Sequence, residues 1–206
     1  MGKFIVIEGL DGSGKSSQIE RLSKRLEMGG ERVYITAEPT NFETGAYIRR
    51  ILSQSLDKDM YLQGALFLAD RIEHNTHPEF GIRTHLDKGE TVICDRYYYS
   101  SFAYQGTKIK SDWVMDINLS CPKIEKPDLC IFLDVSPKEC KDRIEKSRES
   151  TELYEKSVSL MEGIRENFLS VFRRLSGSEN IKIIDANRSF DEIHEDIFEA
   201  VSKIDI

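Results

Sequence analysis

The sequence predicts an α/β protein in which helices flank one doubly wound sheet of five parallel strands. Five short apolar runs, rich in β-branched residues, are typical of strands that are buried on both faces of a parallel sheet. Segments with apolar residues at helical spacing separate these runs, and this alternation predicts parallel strands joined by helices. With 206 residues, the chain is long enough for one such domain and short for two, so we predict a single domain over residues 1–206.

Each strand is predicted from an apolar run bounded by polar or turn-forming residues. In chain order, the predicted strands cover residues 4–8, 32–36, 91–95, 129–133 and 181–185. Ligands of doubly wound sheets bind beyond the carboxyl ends of the strands. The residues that fall at those ends are Gly9, Glu38, Asp95 and Asp185.

The predicted helices lie between the strands, and breaker residues set their limits. Apolar residues after Ser16 recur at helical spacing until Gly29 and Gly30 end the first helix. The later helices are predicted over residues 45–56, 61–75, 98–104, 113–119, 138–146, 153–175 and 190–204. A further helical piece follows the helix at residues 61–75 and ends at residue 86.

Composition is that of an ordinary soluble protein. Hydrophobic residues make up 39% of the chain, charged residues 32%, and the net charge is −7. An acidic chain is a poor match for duplex nucleic acid, whose phosphates require basic surfaces. The apolar run at residues 4–7 is too short for a signal peptide or a membrane span, so we expect no membrane partner. The four cysteines are not closely paired, which favours a reducing, cytoplasmic location without zinc or disulfides.

Residues 9–16 carry the strongest functional signal. The segment Gly9-Leu10-Asp11-Gly12-Ser13-Gly14-Lys15-Ser16 fits a phosphate-binding pattern and lies between a predicted strand and a predicted helix. Backbone N–H groups of such a loop bind phosphate, Lys15 would reach the outer phosphates, and the Ser16 hydroxyl would ligate Mg²⁺. The motif predicts binding of a nucleoside triphosphate, and the alternative is an ordinary glycine-rich turn.

Asp95-Arg96 at the end of the third predicted strand is the second chemical signal. In a phosphate-loop protein, Asp95 is placed to hold Mg²⁺ directly or through water. Arg96 would contact the phosphoryl group in transfer, because a planar guanidinium group can bind the delocalised negative charge of that group. The alternative is an Asp–Arg pair that only ends a strand.

The motifs taken together resemble the thymidylate kinase family of P-loop nucleoside monophosphate kinases. The resemblance rests on the glycine-rich loop, on Glu38-Pro39-Thr40, and on Asp95-Arg96-Tyr97 followed by Ala103-Tyr104-Gln105-Gly106. It extends to Phe67-Leu68-Ala69-Asp70-Arg71, Lys126-Pro127-Asp128-Leu129 and Ile184-Asp185-Ala186, and so spans nearly the whole chain. It implies transfer of the γ-phosphoryl group of ATP, with Mg²⁺, to thymidine 5′-monophosphate (dTMP), and it implies a homodimer.

The resemblance also implies roles for individual residues. Phe67 would stack on thymine and Arg71 would bind its edge, and the alternative is a core Phe beside a solvated Arg. The implied acceptor site also contains Asp11, Glu38, Arg49, Arg96, Ser101, Tyr104 and Gln105. The implied ATP site contains Gly9, Gly12, Ser13, Gly14, Lys15, Ser16, Ser17, Arg143, Asp185 and Ala186, and the implied catalytic residues are Lys15, Arg96, Arg148 and Asp11.

Two further segments carry residues whose roles are predicted from charge or spacing. A basic lid is predicted at about residues 143–155, with Arg148 as the candidate catalytic arginine and Arg143 as the second choice. An ordinary solvated charge run is the alternative for this segment. His74 and His77 are predicted to be surface or subunit-contact residues rather than metal ligands.

Three functions remain open at this level. The resemblance favours a thymidylate kinase. Another deoxynucleotide or deoxynucleoside kinase would share the loop and the Asp-Arg pair. A nucleotide-dependent switch would be expected to carry a guanine-specific Asn-Lys-x-Asp segment, and the sequence contains none.

Overall fold

A computed structural model describes residues 2–54, 59–107, 109–147 and 157–204. In these ranges five strands form one sheet, and they are β1 Phe4–Gly9, β2 Val33–Ala37, β3 Thr91–Asp95, β4 Leu129–Asp134 and β5 Ile181–Asp185. Every pair is parallel, and the spatial order is β2-β3-β1-β4-β5. The predicted doubly wound, five-stranded parallel sheet is confirmed.

Helices occupy the connections between the strands. In the described residues they are α1 Lys15–Met28, α2 Glu43–Ser53, α3 Met60–Thr76, α4 Ile82–Asp87, α5 Tyr98–Gln105, α6 Ser111–Leu119, α7 Pro137–Ser147, α8 Val158–Leu175 and α9 Phe190–Ser202. The start predicted for the long helix at residue 153 lies outside the described residues. No helix in the described part of the chain is both long and apolar enough to cross a membrane.

The hydrophobic core lies on both faces of the sheet. On one face α1 packs against β1, β2 and β3 and also against α9. On the other face α5 and α8 pack together, and Phe132 of β4 contacts Phe168 and Phe172 of α8 at ring-centroid distances of 5.0 and 5.1 Å. The central strands β1, β3 and β4 are buried along almost their whole length, as their apolar sequences require.

Strand register brings the chemically interesting segments to one edge of the sheet. Ile7 of β1 and Ala37 of β2 both align with Asp95 of β3. The chain therefore leaves β1, β2 and β3 at the same level, and the glycine-rich loop, Glu38 and Arg96 follow directly. The connection from β1 leads through α1 to β2, and the connection from the adjacent β3 leads through α5 and α6 to β4 on the opposite side. The divergence of two neighbouring connections marks the usual ligand position in such sheets.

His194 of α9 makes the stability of this fold depend on pH. The side chain is 1% exposed, and neither ring nitrogen has a hydrogen-bond partner among the described residues. Burial, followed by the positive charges of Arg21 and Arg25, lowers its pKa below the ordinary value of 6.5. The unfolded chain therefore binds a proton below about pH 6.5, whereas the folded chain binds it only at lower pH.

His194→Leu is expected to flatten this part of the pH dependence of stability. The parent should lose free energy of unfolding as the pH falls from about 7 to about 5, and the variant should lose less over the same interval. Urea unfolding at both pH values measures the difference. Ser202→Ala, at an exposed position of the same helix, removes no titratable group and is the control that should follow the parent. Parallel curves for the parent and His194→Leu would contradict the assignment.

Candidate active site

Glycines in left-handed backbone conformations shape the loop between β1 and α1. Gly12 has φ of 80° and Gly14 has φ of 93°, a region that other residues enter only at a cost. A Cβ atom on Gly12 would overlap the carbonyl oxygen of Cys140 in α7, so the loop lies directly against that helix. Gly14 is the N-cap of α1, which leaves the N–H groups at the start of α1 directed into a cleft, an arrangement that binds anions.

Lys15 is held inside this loop. Its Nζ donates to the carbonyl oxygens of Gly9 and Leu10, each at 3.1 Å, and the residue is 7% exposed. Burial and then the charge of Arg96 lower the pKa of Lys15 below its ordinary value. An anion in the cleft would favour the charged form and would stabilise the ammonium group where it lies.

A phosphate cleft with an open volume of about 1090 Å³ lies above the loop. Its wall includes Gly12, Gly14, Lys15, Ser16, Ser17 and Arg143. Arg143 donates from Nε to Glu139 at 2.9 Å and from Nη1 to the carbonyl of Gly12 at 3.5 Å. The structure thus brings the second-choice lid arginine into the cleft, whereas Arg148 lies outside the described residues.

Ser16 and Asp95 are arranged as a divalent cation would require. Ser16 Oγ donates to Asp95 Oδ2 at 3.4 Å, and Asp95 Oδ1 is buried with no hydrogen-bond partner among the described residues. A buried carboxylate oxygen without a partner is costly. The hydroxyl and carboxylate oxygens together match the ligands that Mg²⁺ prefers, so the residues fit a magnesium ion at this position.

A second cavity, here called the nucleoside cavity, adjoins the phosphate cleft and has an open volume of about 620 Å³. Phe67 lies half-buried in its wall rather than in the core. The buried Gln105 also lines it, and its Oε1 has no partner among the described residues. The further wall residues that the sequence predicted are Asp11, Glu38, Arg71, Arg96, Ser101 and Tyr104.

Arg71 is a buried cation fixed at the end of this cavity, and the alternative of a solvated Arg is wrong. It is 1% exposed and donates to Glu38 Oε2 from Nε at 2.9 Å and from Nη2 at 2.6 Å. Nη2 also donates to Ser101 Oγ at 3.2 Å, and Nη1 donates to Asn118 Oδ1 at 2.5 Å. Four of the five N–H donors of this guanidinium group thus have partners among the described residues.

His74 extends the same network, and its prediction as a surface residue is wrong. The side chain is 1% exposed because α3 turns this face toward β2. Its Nδ1 donates to Glu38 Oε1 at 3.0 Å, and its Nε2 lies 2.7 Å from Thr36 Oγ1. Both oxygens of Glu38 are therefore engaged, one by Arg71 and the other by His74. His77 lies half-buried and stacks on Phe42 at 4.7 Å.

Arg96 stands where the two cavities meet. Three residues, Asp11, Glu38 and Arg96, line both of them. Arg96 Nη2 donates to Asp11 Oδ1 at 2.7 Å, and its guanidinium lies 5.2 Å from the ring centroid of Tyr104. Burial acts against the charge of Arg96, but Asp11 and the other acidic groups outweigh it and raise its pKa. This cation stays charged at the boundary.

Some predicted site residues are not in the walls of these two cavities. Gly9 and Ser13 lie below the cleft, where Gly9 contributes its carbonyl to Lys15 and Ser13 is buried. Arg49 donates to the carbonyls of Pro39 and Thr40, beside the nucleoside cavity. Asp185 and Ala186 follow β5, where the Asp185 carboxylate accepts hydrogen bonds from Asn187.

Comparison with known proteins relates the whole arrangement to one family. A sequence model described as thymidylate kinase matches residues 7–197. A probable thymidylate kinase of Pyrococcus horikoshii is 40% identical over 202 residues, which cover 95% of this chain and 94% of the relative. A thymidylate kinase of Leptospira borgpetersenii is 35% identical over 197 residues, which cover 95% of this chain and 91% of the relative. The matched residues 7–197 include β2 to β5 and the residues that line the two cavities.

Proposed function

The chain belongs to the thymidylate kinase family, and we infer that it transfers the γ-phosphoryl group of ATP to dTMP. The observation that carries this function is the shared wall of the two cavities. The phosphate cleft and the nucleoside cavity meet at Asp11, Glu38 and Arg96. A donor in one and an acceptor in the other would face each other across Arg96.

Binding of the acceptor base follows from the groups that line the nucleoside cavity. Phe67 offers an aromatic face for stacking, and Gln105 Oε1 offers an acceptor for a base N–H group. The N3–H of thymine or uracil matches that acceptor, whereas the N3 of cytosine is itself an acceptor. The remaining N–H on Nη1 of Arg71, which has no partner among the described residues, would match a base carbonyl. These groups favour thymine or uracil over cytosine, and Tyr104 would lie against the deoxyribose.

Catalysis requires positioning and charge stabilisation rather than a strong base. The acceptor phosphate is already ionised and nucleophilic at neutral pH. Lys15 and Arg96 would bind the oxygens of the phosphoryl group and stabilise the negative charge that is redistributed over those oxygens during transfer. Arg49 would bind the acceptor phosphate. Bound at Ser16 and Asp95, Mg²⁺ would neutralise part of the donor's charge.

Several other features of the proposal stay predictions. The lid at about residues 143–155, with Arg148 as its catalytic residue, stays a prediction because residues 148–156 lie outside the described part. Adenine binding at Asp185 and Ala186, the single domain, the homodimer and the cytoplasmic location also stay predictions.

Release of ADP from ATP and Mg²⁺, measured with a panel of acceptors, tests the function. We expect turnover with dTMP, much less with dCMP, and none with thymidine or without an acceptor. Turnover with thymidine as fast as with dTMP would favour a deoxynucleoside kinase instead. Turnover with dUMP as fast as with dTMP would broaden the acceptor class. No turnover with any acceptor would contradict both kinase functions.

A further inference from the structure

Glu8 is a buried carboxylate in an otherwise apolar strand. It lies one residue before the glycine-rich loop and is 0% exposed. It lines neither the phosphate cleft nor the nucleoside cavity, so it would touch neither substrate. Burial raises its pKa, and the charge of Arg96 is the largest opposing influence. A buried carboxylate destabilises a fold unless its oxygens are satisfied, and the contacts of Glu8 show what satisfies them.

One oxygen of Glu8 caps helix α5. Oε1 accepts from the backbone N–H of Tyr97 at 2.9 Å and from that of Ser100 at 3.0 Å. Tyr97 is the N-cap of α5 and supplies no side-chain cap of its own, although the first N–H groups of a helix need acceptors. Glu8 supplies this acceptor from β1, and α5 carries the cavity residues Ser101, Tyr104 and Gln105.

The other oxygen of Glu8 orients Arg96 through a serine. Ser100 Oγ donates its proton to Glu8 Oε2 at 2.7 Å, and Arg96 Nη1 donates to the same Oγ at 3.1 Å. Because a hydroxyl has only one proton, giving it to Glu8 turns the lone pairs of Oγ toward Arg96. All these partners of Glu8 are donors, and the ionised carboxylate is the form that accepts from each of them.

The backbone at Arg96 needs this support. Its φ is 68°, and a non-glycine residue keeps a left-handed conformation only where the surrounding structure holds it there. Arg96 N donates to the carbonyl of Ile7 at 3.0 Å, immediately before Glu8. The N–H groups on either side of the Arg96 Cα atom, its own and that of Tyr97, are therefore both held by the end of β1.

We propose that Glu8 is a positioning residue of phosphoryl transfer, which caps α5 and, through Ser100, fixes Arg96 between the donor and acceptor cavities. The proposal rests on the proposed function. One carboxylate then links the end of the strand that leads into the donor loop with the helix that forms the acceptor wall. Its loss would misplace the cation at the transferring group while leaving both cavities able to bind.

Glu8→Gln and Ser100→Ala test this role by the separation of kcat from KM. Both variants should lower kcat about 10- to 100-fold, the size of a small misplacement of a catalytic group. The KM values for ATP and dTMP should stay within a few-fold of the parent. The double variant should be no slower than the slower single variant, because both changes break one chain of contacts.

The control is Ser23→Ala, which removes a buried serine hydroxyl from α1 away from this chain of contacts and should keep the parent kcat. A kcat within a few-fold of the parent in Ser100→Ala would overturn the proposal, even if Glu8→Gln did not fold. Additive losses in the double variant, or KM values that rise as kcat falls, would also overturn it.

Amide hydrogen exchange gives a readout that does not require turnover. The amide of Tyr97 should exchange faster in Glu8→Leu, whose side chain has no acceptor oxygen, than in the parent, and an unchanged rate would overturn the capping role. A parent that turned over no acceptor would count against the proposed function, and this exchange result would still decide the structural part.

Discussion

Lys15→Ala is expected to lower kcat for dTMP phosphorylation by about 10²- to 10³-fold or more, equivalent to roughly 3–4 kcal/mol of transition-state stabilisation. The side chain is buried at the base of the phosphate cleft, and two loop carbonyls already direct its ammonium group. Alanine would leave the cleft open and remove the cation nearest the loop amides. Because those amides would remain, ATP should still bind, and the loss should fall on kcat more than on the KM for ATP.

The matched control for this prediction lies on the same helix. Lys24 of α1 is exposed and pairs with Glu20 at 2.6 Å, a surface contact of little energetic value. Lys24→Ala should keep kcat within about twofold of the parent, since exposed substitutions have small effects. Steady-state ADP release with ATP and dTMP varied in turn measures both variants. A Lys15→Ala enzyme within a few-fold of the parent would remove Lys15 from the mechanism.

The strands could be predicted because their signal is local. A strand buried on both faces must be apolar along its length, so the run at residues 91–95 matches β3 residue for residue. The run at residues 181–185 also matches β5 residue for residue, although this edge strand is largely exposed. The prediction for β2, residues 32–36, is displaced by one from Val33–Ala37. This edge strand is only partly buried.

The phosphate cleft could be predicted because most of its groups lie in two contiguous motifs. Successive residues of one loop stay together in any fold, and the alignment of Ile7 with Asp95 brings the second motif to the first. The position of Arg143 in the cleft could not be predicted from its neighbours in the sequence. Arg143 reaches the cleft because α7 packs against Gly12.

The burial of Arg71, a predicted site residue, and the contacts of His74 and Glu8, which were not predicted, depend on packing between distant segments. His74 and Arg71 lie on a face of α3 that also carries Asp70, and charged or polar residues on a helix are usually solvated. Here the face is buried because Glu38, more than 30 residues away in sequence, supplies the acceptor for both. Glu8 likewise depends on the position of α5. Neither pairing has a signal in a single sequence.

Arg71→Met is expected to give the largest loss of stability, about 3–5 kcal/mol in the free energy of unfolding. Arg71 and Glu38 form a buried ion pair with both side chains at most 2% exposed. Removal of the cation would leave the carboxylate of Glu38 in the core with His74 as its remaining partner from α3. The same change removes the N–H group offered to the base, so the KM for dTMP should rise about 10- to 100-fold while the KM for ATP changes little.

A second substitution separates the cost of leaving the Glu38 charge unpaired from the loss of the N–H group of Arg71. In Arg71→Met combined with Glu38→Gln no unpaired charge remains, so part of the lost stability should return and the two changes should not add. The KM for dTMP should stay high in the double variant, because the base still lacks its donor.

Urea unfolding and steady-state kinetics measure the two effects. The control is Arg50→Met, at an exposed position on α2, which should change stability by no more than about 0.5 kcal/mol. Additive losses in stability would show that the two side chains act independently, and an unchanged KM for dTMP in Arg71→Met would remove Arg71 from base recognition.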